Sequence, residues 1–169
     1  IINACKAAGY ELVIVETPGI GQGDAAVVEH VDLSLYVMTP EFGAQSQLEK
    51  IDMLDFADAV AINKMDRKGA ADALRDVRKQ VQRNREAFGQ SPGEMPVFGC
   101  MASKFADLGI TALYQELLAQ FAAKGLGGFS CSISPVETKQ SAPGQAIVPP
   151  ERVRYLAEVS ETVRDYHKT

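Results

Sequence analysis

Four residues, Asn63-Lys64-Met65-Asp66, carry the most specific chemistry in the sequence. A carboxylate such as Asp66 can accept two hydrogen bonds, from the ring N–H and the exocyclic amine of a guanine; adenine offers the wrong edge and would leave the acid unpaired. Lys64 can lay its alkyl stem over a purine face, and the Asn63 amide can tie neighbouring loops together. The same residue types also make an ordinary polar turn. Two further stretches give the pattern weight. In Glu16-Thr17-Pro18-Gly19-Ile20-Gly21-Gln22-Gly23, Glu16 can hold a magnesium ion through water and the Gly19 N–H can approach a γ-phosphate. Gln22 can orient an attacking water. In Ala102-Ser103-Lys104 a backbone N–H can meet a guanine carbonyl. For the glycines the alternatives are a flexible turn or a G-x-G-x-x-G dinucleotide loop. The second fails because Asp24 stands where the third glycine is needed and Pro18 stiffens the approach.

Such residues need a scaffold, and the apolar pattern supplies one. Glu11–Glu16 is a short β-branched run between Gly9 and Pro18-Gly19 and predicts a buried strand. The signal recurs at Leu33–Met38, Ala59–Ile62 and Pro96–Cys100. Helical stripes separate them. Leu48, Ile51, Met53, Leu54 and Ala57 form one, and Ala70, Ala73, Leu74, Val77, Val81 and Phe88 a second, with Arg75, Arg78, Lys79, Arg83 and Arg85 around it. Those cations read as a solvated face balanced by Asp72, Asp76 and Glu86, or as a surface for phosphate or an acidic partner. A third stripe, Ile110, Leu113, Leu117 and Phe121, ends at Gly125. Alternating strands and helices predict an α/β fold with a parallel sheet flanked by helices. Asn63–Asp66 then emerges at a strand's C-terminal edge, where such sheets bind ligands.

Composition narrows the field. The chain has 169 residues, 46% hydrophobic and 23% charged, with a net charge of −5, which suits one folded domain with a tail and not a general polyanion-binding surface. Nucleic acid is an unsuitable partner on this balance. No apolar run reaches the roughly eighteen residues of a membrane span. Cys5, Cys100 and Cys131 form no C-x-x-C pair, which suggests reduced thiols and a cytoplasmic location. The boundaries read as 1–124 for the sheet domain, 125–150 for a Gly/Pro/Ser-rich linker or extended arm, and 151–169 for a helix. That helix carries Val153, Leu156, Val159, Val163 and Tyr166 on one side, for a partner surface or for folding back.

Val15–Gln22, Leu35–Gly43 and Ile51–Asp58 through Asn63-Lys64 resemble the GTPase domain of the fused isobutyryl-CoA mutases, close kin to the G-protein chaperones of methylmalonyl-CoA mutase. The resemblance implies a P-loop NTPase-type fold that binds GTP or GDP with Mg2+. It implies that Glu16 is the magnesium-associated acid, with Glu in place of the usual Asp of D-x-x-G, and Gly19 the γ-phosphate glycine. Asn63, Lys64 and Asp66 then form the base-specificity motif, and Ser103-Lys104 the base-contact loop. It further implies GTP-gated loading of adenosylcobalamin into a mutase that interconverts isobutyryl-CoA and n-butyryl-CoA. The partners would be cobalamin-binding and acyl-CoA-binding domains of the same polypeptide, and the parent a homo-oligomer. Thr39–Gln47 resembles a mobile region that signals nucleotide state.

The departures are specific. No G-x-x-x-x-G-K-[ST] occurs, so the phosphate cradle is absent from these residues, and His30 and His167 are the only histidines, neither in a D-x-H-x-x-G cobalamin signature. The chain therefore reads as the later part of a GTPase domain, incomplete at its N-terminus. Without the phosphate-loop strand two central strand edges would be unpaired, so the 169-residue polypeptide alone is expected to be unstable and inactive; a cooperative two-state melt would contradict this. A degenerate, non-hydrolysing interaction module is the alternative, as is a separate methylmalonyl-CoA mutase-associated chaperone. A metallochaperone GTPase is disfavoured because no Cys or His accompanies Glu16.

Overall fold

The computed structural model describes residues 2–17, 25–43, 48–141 and 154–168. Helix α1 (Ile2–Ala7) is followed by a short 3-10 turn at Ala26–His30. Strands β1 (Leu35–Met38), β2 (Ala59–Ile62) and β3 (Val97–Gly99) form a parallel sheet in that order, with Leu35 opposite Ala59, Met38 opposite Ile62, and Ile62 opposite Gly99. Short α2 (Met53–Phe56) leads into β2, α3 (Ala70–Asn84) crosses from β2 to β3, and α4 (Leu108–Ala123) follows β3. The sheet and its flanking helices make the α/β architecture of a partial P-loop NTPase fold.

All four residues of β2 are buried because both faces of the sheet are covered. Alternate side chains leave a strand on opposite faces. Val60 and Ile62 join Leu74, Val77 and Val81 of α3, together with Leu48, Ile51 and Leu54. Ala59 and Ala61 join Phe98, Cys100, and Ala112 and Leu113 of α4. Each fully buried Val, Leu or Ile contributes about 1.5–3 kcal/mol, so the crossover helix is held chiefly by the three- and four-residue stripe that the sequence shows.

At the sheet's N-terminal edge, Asp58 Oδ2 accepts the Ser34 N–H at 2.8 Å and the Ser34 hydroxyl at 2.9 Å, while Lys124 Nζ donates to Oδ1 at 2.9 Å. Burial pulls the Asp58 carboxyl upward, but the hydrogen bonds from Lys124 and Ser34 outweigh it and hold it below its ordinary value.

Three expectations are corrected here. Glu11–Glu16 forms no strand, and Leu12, Ile14 and Val15 are exposed. A β-branched run becomes a strand only when a neighbour completes its ladder, and no described strand lies beside it. Second, the α3 stripe stops before Phe88. The helix ends at Asn84, Glu86 turns into the left-handed region at φ +51°, and Phe88 stands exposed beyond it. Third, the cations around α3 are not uniformly solvated. Arg75 does pair with Asp72 and Asp76 at the surface. Half-buried Arg78 instead donates to the carbonyls of Val97 and Lys139, and Arg85 donates to Ala57 O at 2.7 Å. Burial lowers the pKa of Arg78.

Helix α4 stops as Gly125 predicts. Gly125, at φ +74°, donates to Ala122 O, and Leu126 donates to Phe121 O at 2.9 Å, which together satisfy two otherwise orphaned carbonyls. Of the α4 stripe, Leu113 is buried and Leu117 lies against the sheet cluster, while Ile110 keeps just over a third of its surface exposed. The polar stretch after Gly125 returns along the domain. The Phe129 ring lies 5.4 Å from that of Phe121, and Val136 N–H donates to Gln115 Oε1. Gln140 then forms a parallel bridge with Gly99 at the outer edge of β3. The last helix, α5 (Tyr155–Lys168), leaves Val159, Val163 and Tyr166 exposed; Val153 and the Leu156 side chain lie outside the described residues.

Candidate functional site

The C-terminal ends of β2 and β3 hold the two loops singled out in the sequence. After Ile62, the Asn63 N–H donates to Met38 O at 2.9 Å, extending the ladder towards β1 by one residue. Asn63 Oδ1 then accepts two donors, Lys64 N–H at 2.8 Å and Ala102 N–H at 3.0 Å. One amide oxygen therefore shapes its own loop and pins the neighbouring one, the bridging role expected of it. Lys64 sits at φ +63°, an uncommon conformation for a side-chain-bearing residue and one that costs free energy unless its surroundings hold it. Met65 N–H donates to Cys100 O, and Arg67 N–H to Lys64 O.

The outcome is an alternation. Asn63 and Met65 are half-buried, whereas Lys64 and Asp66 are exposed. Met65 contacts the core cluster, and its Sδ would lie 3.0 Å from a β-carbon built on Gly99, so a glycine there lets the two loops meet. Lys64 and Asp66 are left available to a ligand above the sheet edge. Across from them, Ala102, Ser103 and Lys104 are exposed, and Lys104 N–H closes a turn on Met101 O at 2.9 Å. The structure thus brings Asn63, Lys64, Asp66, Ser103 and Lys104 to one edge.

Glu16 lies exposed in the 12–17 segment, which has no regular secondary structure, while Gly19 and Gln22 lie outside the described residues. Among the described residues no three His, Cys, Asp or Glu side chains converge as a cation site. Of Thr39–Gln47, residues 44–47 are likewise outside. The described part reaches the residue that follows the Asn63–Asp66 loop, because Glu41 Oε1 pairs with the Arg67 guanidinium, next to Asp66. The Thr39 hydroxyl first, and Arg67 with it, holds the Glu41 carboxyl down at about 2. Gly43 lies so close to Ala73 that a β-carbon would come within 2.4 Å of the alanine methyl. A groove of about 460 Å³ between Arg78, Glu94, Glu137 and Lys139 lies apart from these loops. Its lysine donates to the carbonyls of Glu94 and Met95, and its arginine to those of Val97 and Lys139.

Over residues 1–129 the sequence matches the family model described as methylmalonyl Co-A mutase-associated GTPase MeaB. The chain belongs to this GTPase family. It is 64% identical over 167 residues to the fused isobutyryl-CoA mutase of Nocardia farcinica, a match that covers 99% of this chain and 16% of that protein. It is 62% identical over 168 residues to the fused isobutyryl-CoA mutase of Cupriavidus metallidurans, covering 99% of this chain and 15% of that protein. The mouse methylmalonic aciduria type A homolog, mitochondrial, is 36% identical over 65 residues, 38% of this chain and 16% of that protein. The chain therefore spans less than a fifth of the length of these relatives.

Within this MeaB-like chain, sequence reasoning overlooked two side chains that shape the second loop. Asp107, 7% exposed, accepts the Met101 and Ile110 N–H groups at 3.1 Å each and the Ser141 hydroxyl at 2.8 Å. An Asp immediately before the Leu108-Gly109-Ile110 helix start is an N-cap signal that the sequence offered. Ser141 gave none, because its partner lies 34 residues away. Beside them, burial, reinforced by the Asp107 charge, pushes the Cys100 thiol up to about 12, which favours its protonated form.

Proposed function

We propose that this chain recognises the guanine base within a GTP-binding and GTP-hydrolysing chaperone domain of an adenosylcobalamin-dependent acyl-CoA mutase. The observation that carries the reading is the double acceptance by Asn63 Oδ1, which holds the Lys64–Asp66 and Ala102–Lys104 loops together at one sheet edge. On this reading Asp66 accepts the ring N–H and the exocyclic amine of guanine, Lys64 covers the purine face, and a backbone N–H of the Ser103-Lys104 turn meets the guanine carbonyl. A base in that position satisfies an exposed carboxylate that another base would leave unpaired. Glu16 serves the magnesium ion through water, Gly19 the γ-phosphate and Gln22 the attacking water. The ion neutralises charge on the phosphates when bound.

The names of the similar proteins support the wider assignment. In the complete polypeptide, cobalamin-binding and acyl-CoA-binding domains adjoin this one, GTP turnover gates adenosylcobalamin loading, and isobutyryl-CoA and n-butyryl-CoA are interconverted. The protein is a cytoplasmic homo-oligomer. The test titrates a fluorescent guanosine diphosphate into the full-length protein and competes it with GDP, ADP and CDP. Displacement by GDP alone is the expected result, and equal displacement by ADP would overturn base recognition by these loops.

A further inference from the structure

The exposed loop 102–106 is held at its two ends by different means. At its start Asn63 Oδ1 takes the Ala102 N–H. At its end Asp107 Oδ2 gathers Met101 N–H, Ile110 N–H and the Ser141 hydroxyl, so one carboxylate oxygen closes the loop, caps α4 and grips a residue far along the chain. Between these points Ala106 sits at φ +54°, a conformation that persists only when its surroundings impose it. Ser141 is itself fixed. Its N–H donates to Gly99 O at 2.9 Å, and Gly99 N–H donates to Lys139 O at 2.9 Å, so residues 139–141 run as a short strap along the free edge of β3. A β-carbon on Gly109 would meet both Gly99 O and Ser141 N, which shows how closely strand end, helix start and strap converge.

We propose that Ser141 is a positioning residue for guanine recognition: by holding the Asp107 carboxylate, its hydroxyl sets the Ala102–Lys104 turn at the height where a backbone N–H meets the base carbonyl. The inference rests on the base-recognition reading above and adds a coupling to it. Docking of the strap and binding of a guanine nucleotide become one linked equilibrium, and such linkage is reciprocal. Nucleotide binding tightens the strap, and loosening the strap weakens nucleotide binding. The 139–141 strap thereby senses whether the base site is filled.

The experiment uses the full-length protein with Ser141→Ala and Ser141→Thr, measuring GDP affinity, thermal midpoint and amide hydrogen exchange. Ser141→Ala should weaken GDP binding about fivefold, the loss of one hydrogen bond to a charged acceptor transmitted in part to the site, and Ser141→Thr, which keeps the hydroxyl, should restore it. In the unaltered protein GDP should slow exchange at the Gly99 and Ser141 amides. A lowered midpoint with unchanged GDP affinity, or exchange at those amides indifferent to GDP, overturns the proposal as a structural staple only. Loss of GDP binding in Asn63→Ala but not in Ser141→Ala would sink the coupling while leaving base recognition intact. An unaltered protein that binds no GDP would overturn both.

Discussion

The side-chain oxygen of Asn63 accepts the backbone N–H of Ala102 at 3.0 Å, joining two loops 39 residues apart in the chain. The same oxygen takes the Lys64 N–H, so truncation to alanine removes two hydrogen bonds at once. Both donors lie near solvent and can turn to water, which keeps the stability cost near about 1–2 kcal/mol. The larger effect falls on the site. Asn63→Ala should weaken GDP binding at least about tenfold, since the base would then meet two loops free to part. Urea unfolding and nucleotide titration of the full-length protein measure the two effects separately.

Gly109 is a packing requirement, not a flexible joint. A β-carbon there would lie 1.9 Å from the Gly99 carbonyl oxygen, which is backbone and cannot rotate away. Gly109→Ala should therefore destabilise the protein by about 1–3 kcal/mol or more, whereas Gly89→Ala, with nothing within 4 Å and no positive φ, should be nearly neutral. Denaturant midpoints of the two variants give the comparison; equal midpoints would refute the close approach of α4 to β3.

Much of this architecture was legible in the sequence, and the rest fails for identifiable reasons. Ala59–Ile62 and the Ala70–Val81 stripe announce themselves because burial on two faces and on one helical face leaves different periods. The bridging role of Asn63 was readable because it lies within one motif. Glu11–Glu16 carries strand propensity, but pairing belongs to a neighbour and not to the segment itself. Phe88 fits the α3 period, yet Arg85 is drawn to the Ala57 carbonyl and the chain has already turned. The Asp107–Ser141 contact was hidden altogether, since polar residues in a Pro- and Ser-rich stretch give no local sign that one of them docks against a buried carboxylate.

The Glu41 carboxyl offers a test by pH. Its folded pKa lies at about 2 against an ordinary 4.5, with the Thr39 hydroxyl the largest cause and Arg67 a smaller one. A depressed carboxylate pKa contributes stability that is present above about 4.5 and is lost as the pH falls from there towards 2. An NMR titration should place the midpoint near 2, with Thr39→Val raising it more than Arg67→Ala. The reverse order would mean that the ion pair with Arg67, and not the local turn, holds the segment beside the Asn63–Asp66 loop.

Base choice is the central claim, and Asp66 tests it most directly. The measurement is the affinity of the full-length protein for GDP and for xanthosine diphosphate, before and after Asp66→Asn. Xanthine presents a carbonyl where guanine carries its amine, so an amide at residue 66 can donate where the carboxylate could only accept. The account predicts that the substitution weakens GDP binding and favours the xanthine nucleotide, within the roughly 10⁴-fold range available to a site built to hydrogen-bond its ligand. An unchanged preference for guanine would contradict the assignment of Asn63–Asp66 as the base-reading loop.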